Sequence, residues 1–313
     1  MDNLFTYVVV LNWNSDEDTI NCIKSLLEVK GNENLKIIVC DNNSNEDSFK
    51  KVRNYISNLS NVSSLLINEN AIFQYKNTSE KIVLIRNNEN YGYAGGNNRG
   101  IKFAINQKNM INVWILNNDT IVQKGALISL IEKINSNRNY GVCGCCLVEY
   151  ESKQRIQGIG GLINKWSFTA KEIGSNIDLE DNIDEVYYEN QIDYVIGASF
   201  IITKECLLQV GLLCEEYFLY YEEYDYCMRA KQKNFLVGIA SKSIVYHKHG
   251  ASTNKGKSDI ADYCSVRNRL IISKKFHPKR IFSAKFFLLF ALFNRMIRME
   301  FKRFFKYFKF LFI

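Results

Sequence analysis

"VWILNNDTIV", residues 113–122, begins as a buried strand and then breaks its own rule. Val113, Trp114, Ile115 and Leu116 are apolar; Asn117, Asn118 and Asp119 follow at once, and Ile121 and Val122 resume the apolar run. A core strand that ends in two amides and a carboxylate is either a solvated Asx-type turn or one edge of a metal or ligand site. The segments around it bear on the choice. YVVVLNW (7–13), LKIIVCD (35–41) and KIVLIR (81–86) are apolar runs of strand length, the pattern of strands buried on both faces. Between them, DTINCIKSLL (18–27) sets Ile20, Ile23, Leu26 and Leu27 at helical spacing, and ALISLIEKI (126–134) follows the fourth strand. This alternation predicts an α/β fold, a mostly parallel Rossmann-like sheet flanked by helices. Ligands of such sheets bind beyond the carboxyl ends of the strands. Three strands end there in polar residues: Asn12 and Asn14, Asp41 to Asn43, and Asn117 to Asp119. They would converge on one crevice.

The chain has 313 residues, 47% of them hydrophobic, enough for one large domain with an appendage. Cys22, Cys40, Cys206, Cys227 and Cys264 sit inside apolar segments, as buried free thiols do. Cys143, Cys145 and Cys146 crowd one strand-like stretch, and no second cluster stands at metal-ligand spacing. The N-terminal MDNLFTYVVVLNWN has neither a basic region nor a cleavage site, so a signal peptide is not expected and a reducing cytoplasm is. The net charge of +7 is concentrated at one end. Residues 274–313 hold eleven Lys and Arg and one acid, Glu300; the preceding 273 residues have a net charge of −3. This sets the expected boundary: a catalytic domain over 1–273 and a basic, aromatic tail over 274–313.

Four stretches carry side chains suited to chemistry. Asp119 and its neighbouring amides offer the oxygen ligands that a hard divalent cation takes, with substrate phosphates completing the shell. In YYEEYDYCMRAK, Glu222, Glu223 and Asp225 place three carboxylates within four residues of a helix start, where the dipole favours them. Asp225 and Arg229 are i,i+4 partners. The aromatic surroundings predict partial burial, which is costly for clustered carboxylates without compensation. SIVYHKHGAS holds His247 and His249, whose side chains would share one face of a strand. Finally, NYGYAGGNNRG (90–100) is glycine-rich ahead of an expected helix and so suited to cradling phosphate, although the spacing of Gly92, Gly95, Gly96 and Gly100 is not the dinucleotide fingerprint.

Taken in order, eight segments resemble family 2 glycosyltransferases, especially the rhamnosyltransferase-like branch that builds bacterial surface polysaccharides. They are VVVLNWNSDEDTINCIKSLL, IIVCDNNSNEDS, NENYGYAGGNNRGI, WILNNDT, IGASFIITKECLLQVGLL, EYFLYYEEYDYCMRA, IVYHKHGAS and YCSVRNRLII, spanning residues 5–275. The resemblance implies a GT-A fold and an inverting, Mn²⁺- or Mg²⁺-dependent transfer from a nucleotide diphosphate sugar to a glycan acceptor, expected to be lipid-linked. It implies that Asp41 contacts the nucleoside, that Asn12, Asn98 and Asn118 line the nucleotide-sugar groove, and that Arg267 reaches the diphosphate. Asp119 matches the last acid of the metal motif, and His247 the histidine that approaches the metal. Glu222 and Glu223 match the Glu-Asp pair that supplies the base, with Asp225 the next acid. Two positions depart from the family pattern: Asn117 replaces the first acid of the metal motif, and Glu223 replaces the Asp of the Glu-Asp pair. Rhamnose is the donor sugar that the resemblance suggests; galactose, glucose and N-acetylated sugars stay open.

The chemistry fits these residue types. Glycosyl transfer passes through an oxocarbenium-like state. A metal neutralises the leaving diphosphate, and a carboxylate takes the acceptor proton on the opposite face. Two other functions compete: a nucleotide-sugar binding protein without turnover, suggested by Asn117 and Glu223, and a dinucleotide-dependent oxidoreductase, suggested by GYAGGNNRG. The latter leaves Glu222, Glu223 and His247 without a role. In the tail, phenylalanines alternate with Lys and Arg, and the longest uncharged apolar run, 286–293, is too short to span a bilayer. Such a segment is expected to lie on the inner face of the cell membrane and attract anionic lipid, or to pack on the catalytic domain. Nucleic acid is not an expected partner, because no recognition motif accompanies the charge.

Overall fold

The computed structural model describes residues 4–175, 177–248 and 258–312; His249 lies outside them. Five strands, β1 (Phe5–Asn12), β2 (Leu35–Asp41), β3 (Ser64–Asn68), β4 (Ile82–Arg86) and β5 (Met110–Asn117), pair in parallel in the order β3–β4–β2–β1–β5. Helices α1 (Asp16–Leu27), α2 (Glu46–Ser57) and α3 (Gly92–Ile105) make the crossovers. The sheet then continues through β6 (Thr120–Val122), α4 (Ala126–Asn135), β7 (Tyr140–Glu149), β8 (Ile156–Gly158), a separate hairpin of β9 (Gly160–Ile163) and β10 (Ala170–Ile173), α5 (Glu185–Glu189), β11 (Ser199–Thr203), α6 (Lys204–Val210), α7 (Glu222–Gln232) and β12 (Leu236–His247). Spatially the second half runs β11–β7–β12–β6, with β8 beside β7. β11 is antiparallel to both β5 and β7, so the mostly parallel sheet becomes mixed where its halves join.

The alternation of side chains along β1 shows why the strand is apolar throughout. Tyr7 and Val9 pack in a core with α3, α6 and α7, whereas Val8 and Val10 pack in a second core with α1, α2 and α4. Register brings Asn12 opposite Asp41 and Leu11 opposite Asn117, so the polar strand ends do meet along one edge.

Strand β11 begins only at Ser199, and β12 is one long strand with a register shift between Ala240 and Ile244. β3 was not expected. The glycines of NYGYAGGNNRG do not precede a helix; Gly95, Gly96 and Gly100 lie inside α3. A Cβ at Gly96 would stand 2.4 Å from Leu11 Cδ1, and one at Gly100 2.5 Å from Val9 Cγ1. These glycines therefore let α3 lie directly on β1, and helix-to-sheet packing accounts for them better than a phosphate cradle.

All nine cysteines are free thiols, and eight are buried. The helix α8 (Asp259–Phe276), capped by Ser258, which accepts from Ala261 N–H, runs unbroken through the expected boundary at 273/274. It is followed by α9 (Ile281–Ile297) and α10 (Phe301–Phe308). Ala284, Leu288, Leu292, Tyr307 and Phe310 bury one side of this pair against the main core. Arg295 grips Asp262 through two bonds of 2.7 and 2.8 Å, Tyr307 Oη donates to the same carboxylate at 2.7 Å, and Arg303 pairs with Asp259. No helix among the described residues is long and apolar enough to cross a membrane.

Candidate active site

At the carboxyl ends of β1 and β2, Asn12 and Asp41 are fully buried and face each other. Asn12 Nδ2 donates to Asp41 Oδ2 at 2.7 Å and to Ser44 Oγ at 3.2 Å, and Asn12 Oδ1 accepts from Thr19 Oγ1 at 2.8 Å. Asp41 Oδ1 accepts from the Ser44 backbone N–H at 3.0 Å. Asn118 joins by donating to Thr19 Oγ1 at 2.9 Å. One hydrogen-bonded network thus links three of the residues expected in the nucleotide-sugar groove and fixes the loops after β1, β2 and β5. Buried polar groups are stable only when so satisfied.

The second centre arises from strand pairing. β6 runs antiparallel to β12 with Thr120 opposite His247, and the Lys248 N–H donates to Asp119 O at 2.9 Å. Asp119 Oδ1 therefore lies 3.3 Å from His247 Nε2. That oxygen is buried and accepts no hydrogen bond, a costly arrangement for a carboxylate. The other ring nitrogen, Nδ1, is 2.9 Å from Gln157 Oε1 and must be the donor there, because the amide oxygen can only accept. This is how a partner behind a metal-ligating histidine sets its tautomer. An unbonded carboxylate oxygen beside an oriented imidazole fits a divalent cation. Among the described residues no three His, Cys, Asp or Glu side chains converge; of these residues Asp119 and His247 would supply two ligands, with phosphate oxygens and water suited to the remaining positions.

The third centre is the first turn of α7. The loop before it holds three bulky residues in left-handed backbone, Phe218 (φ 62°), Tyr220 (69°) and Tyr221 (75°). Each costs of order ~1–3 kcal/mol, and such strain persists only where the surroundings over-determine it. Asn268 of α8, fully buried, donates to the carbonyls of Tyr217, Leu219 and Tyr220 at 2.9–3.0 Å, and the Tyr93 N–H holds Phe218 O at 2.7 Å. The loop delivers Glu222 and Glu223 to one end of a cavity of about 550 Å³. Glu223 lines it with Glu172, Tyr194, Tyr220, Tyr221 and Arg269; Glu222, 3% exposed, does not. Burial pushes Glu223 up to about 7, with Glu172 adding to the rise. Burial and the charge of Glu223 push Glu222 well above the usual carboxylate range. One oxygen of each, Oε2, is buried without a hydrogen-bond partner. Tyr93 donates to Gly197 O, and burial together with the charges of Glu222, Glu223 and Asp119 raises its phenol, which ties the acidic pair to the second centre.

The other expected site residues are engaged within the fold. Asp225 is fully buried and accepts from Arg229 Nε at 2.6 Å, Tyr217 Oη at 2.9 Å and Lys275 Nζ. Asn98 clamps α3 to the following segment, donating to Leu213 O and Glu215 Oε1 at 2.9 Å and accepting from Leu213 N–H. Arg267 donates to Glu216 O at 2.9 Å. Sequence reasoning missed Tyr93, Gln157, Asn268 and Arg269. None of the four stands out from its neighbours in the sequence; Asn268 is flanked by Arg267 and Arg269.

The profile described as Glycosyl transferase family 2 matches residues 7–184, more than half of the chain. The low-salt glycan biosynthesis hexosyltransferase Agl10 of Haloferax volcanii is 25% identical over 279 residues, covering 87% of this chain and 86% of that one. The mannosyltransferase PcManGT of Pyrobaculum calidifontis, solved with GDP-Man and Mn²⁺, superposes with a TM-score of 0.57 at 12% identity, covering 91% and 74% of the two chains. GalNAc-T7, solved with UDP, GalNAc and Mn²⁺, gives 0.60 at 16% identity; the alignment covers 85% of this chain but only 47% of that protein. These structures share the GT-A fold with the present one.

Proposed function

Since this chain belongs to glycosyl transferase family 2, we propose that it moves a hexose, rhamnose being the first candidate, from a nucleotide diphosphate donor to a hydroxyl of a growing, lipid-linked surface glycan, with inversion and with Mn²⁺ or Mg²⁺. The observation that carries this reading is the position of Glu223. Its carboxyl group lines a 550 Å³ cavity and is held up to about 7 by burial, so it can take a proton near neutrality. The acceptor would fill that cavity, and Tyr194, Tyr220 and Tyr221 offer the aromatic walls that sugar rings stack on. Glu222, behind the cavity wall, is itself held protonated by burial and by the charge of Glu223.

Asp119 and His247 would hold the metal, with Gln157 orienting the ring, and the metal when bound would offset the charge of the leaving diphosphate. The polar network of Asn12, Asp41 and Asn118 supports the nucleotide-sugar side by fixing the loops that border it. Hexose as the donor class is supported by the likeness to Agl10, a hexosyltransferase.

The membrane partner is proposed on the surface of the tail. Phe282, Phe286, Phe290, Phe293, Phe301 and Phe305 are all more than half exposed, and Lys302, Lys306 and Lys309 are exposed beside them. Aromatic and basic groups on one surface suit an anionic bilayer interface, and the protein would act there peripherally, on the cytoplasmic side.

The test is a panel of uridine, guanosine and thymidine diphosphate hexoses offered with Mn²⁺, Mg²⁺ or chelator, reading thermal stabilisation and release of the nucleoside diphosphate. Metal-dependent release with one donor is expected. Stabilisation by a donor without release, even with simple glycoside acceptors present, would favour a binding protein.

A further inference from the structure

The catalytic loop raises a question that the acids alone do not answer. Phe218, Tyr220 and Tyr221 have side chains ill suited to left-handed backbone, yet they stand two to five residues ahead of Glu223. Glycine at these positions would have avoided the strain, but it would also have left the loop free to wander. The strained loop is specified from outside by one side chain. Asn268 sits at 0% exposure in the middle of α8. Its Nδ2 shares two hydrogens among the carbonyls of Tyr217, Leu219 and Tyr220, and its Oδ1 accepts from Arg267 at 3.3 Å. An uncharged amide of this length reaches all three carbonyls with its N–H donors. Aspartate would present lone pairs to them, and alanine would take this donor away from all three.

We propose that Asn268 is a positioning residue: by holding the carbonyls of Tyr217, Leu219 and Tyr220 it fixes the left-handed loop that aims Glu223 into the acceptor cavity. It touches neither substrate nor reacting atoms. This role rests on the reading of Glu223 as the base. The nucleotide side, built on β1, β2 and β5, does not share the clamp, so loss of the clamp uncouples donor binding from transfer.

Two variants, Asn268→Ala and Asn268→Asp, test this in the full chain, once wild-type protein has been shown to transfer sugar from a donor in the panel above. If wild type does not transfer, the functional reading fails and the clamp is judged by proteolysis alone. Chymotrypsin cuts after Tyr, Phe and Leu, and residues 217–221 are Tyr-Phe-Leu-Tyr-Tyr. Wild type is expected to resist cleavage there, while both variants are cut between 217 and 221, as mapped by mass spectrometry. Transfer by the variants is expected to fall by about 10²-fold, the usual result of misplacing a reacting group by about 1 Å, while the dissociation constant for the nucleoside diphosphate with Mn²⁺ stays within about twofold. The pH midpoint of transfer should also move acidward as Glu223 becomes hydrated. The charged and titratable groups around Glu223 are Glu222, Tyr224 and Cys227 on α7, Tyr220 and Tyr221 in the loop before it, Glu172 and Lys171 on β10, Tyr194 ahead of β11, Tyr93 on α3 and Arg269 on α8. Unchanged transfer and unchanged proteolysis would overturn the proposal. So would equal losses of donor binding and transfer, or failure of both variants to unfold cooperatively, since either result would make Asn268 a support of the whole fold.

Discussion

His247 Nε2 lies 3.3 Å from Asp119 Oδ1, although 128 residues separate them in the chain, because β6 pairs antiparallel with β12 and sets Thr120 opposite His247. The carboxylate oxygen in this contact has no hydrogen bond. Asp119→Ala is expected to abolish metal-dependent donor turnover while the thermal unfolding midpoint changes little, since the residue sits in a turn. His247→Ala should reduce turnover less, with donor phosphates and Asp119 still available to the ion. Titration with Mn²⁺, followed by calorimetry in the presence of donor, checks both. Turnover near the wild-type level in Asp119→Ala would reduce the residue to a turn former.

The acidic pair makes a separate prediction. Glu223→Gln keeps the shape of the cavity wall and removes basicity, so single-turnover transfer should fall by ~10²–10⁴-fold with donor affinity unchanged. Glu222→Gln, behind the wall, should reduce transfer by less and leave its pH midpoint in place, because burial and the charge of Glu172 raise Glu223 while Glu222 is itself held protonated. A greater loss of the chemical step in Glu222→Gln would reverse the roles.

Stability carries the same signature in the protein without donor. Both carboxyl groups have folded-state pKa values above their unfolded values, Glu223 at about 7. The unfolded chain therefore releases these protons first as pH rises, and the folded state holds more protons across the window from about 4.5 to 7. Folding stability from this source is fully present below that window and falls as pH rises through it. Glu223→Gln should remove part of the fall and raise the melting temperature at pH 8 relative to wild type. Melting curves at pH 5 and pH 8 decide this, and an equal or lower melting temperature for the variant at pH 8 would refute it.

The tail predicts a salt-dependent attachment. Vesicles containing phosphatidylserine should bind the protein, neutral vesicles should bind it less, and each basic residue at the surface should contribute ~1 kcal/mol that high salt removes. Replacing Phe282, Phe286 and Phe290, whose side chains face outward, with Ser should weaken binding while Arg295 and Tyr307 still hold Asp262. Sedimentation with vesicles at 0.1 and 0.5 M salt is the measurement. Undiminished binding by the triple variant would discount the aromatic surface.

How far the sequence reached depended on whether a residue's role was local. The strand ends at Asn12, Asp41 and Asn117 could be read because a polar stop after an apolar run needs no knowledge of the partner strand. The acids of α7 could be read as a cluster but not sorted. On a helix, residues two apart point to nearly opposite sides, which is why Asp225 turns inward to Arg229 and Lys275 while Glu223 turns to the cavity. The glycines of α3 suggested a phosphate loop because composition reports permissiveness, and only packing against Val9 and Leu11 shows what it is used for. Gln157, Tyr93 and Asn268 act across 90, 104 and 51 residues respectively, separations at which no local pattern points to the partner. One side of the tail is packed on α8 and the core and the other is exposed, so the structure shows the packing that was one of its two expected placements and leaves the outer face for the vesicle experiment.

The placement of β11 also bears on how the chain is made. Residues 199–203 are inserted between β5 and β7, strands that end at Asn117 and Glu149, well before them in the chain. During synthesis the N-terminal five strands can assemble as they emerge, but β7 has no route to them until residue 203 has left the ribosome. For that interval Trp114 and Ile115 border an open edge of the growing sheet, and Cys143 and Gly144 lack the neighbour they pair with. An unpaired apolar edge invites association with other chains. The other edge of β7 stays open until β12 pairs with it, so the nascent chain is vulnerable from the completion of β7 to the arrival of residue 247, and slow translation in that stretch would cost yield of folded enzyme.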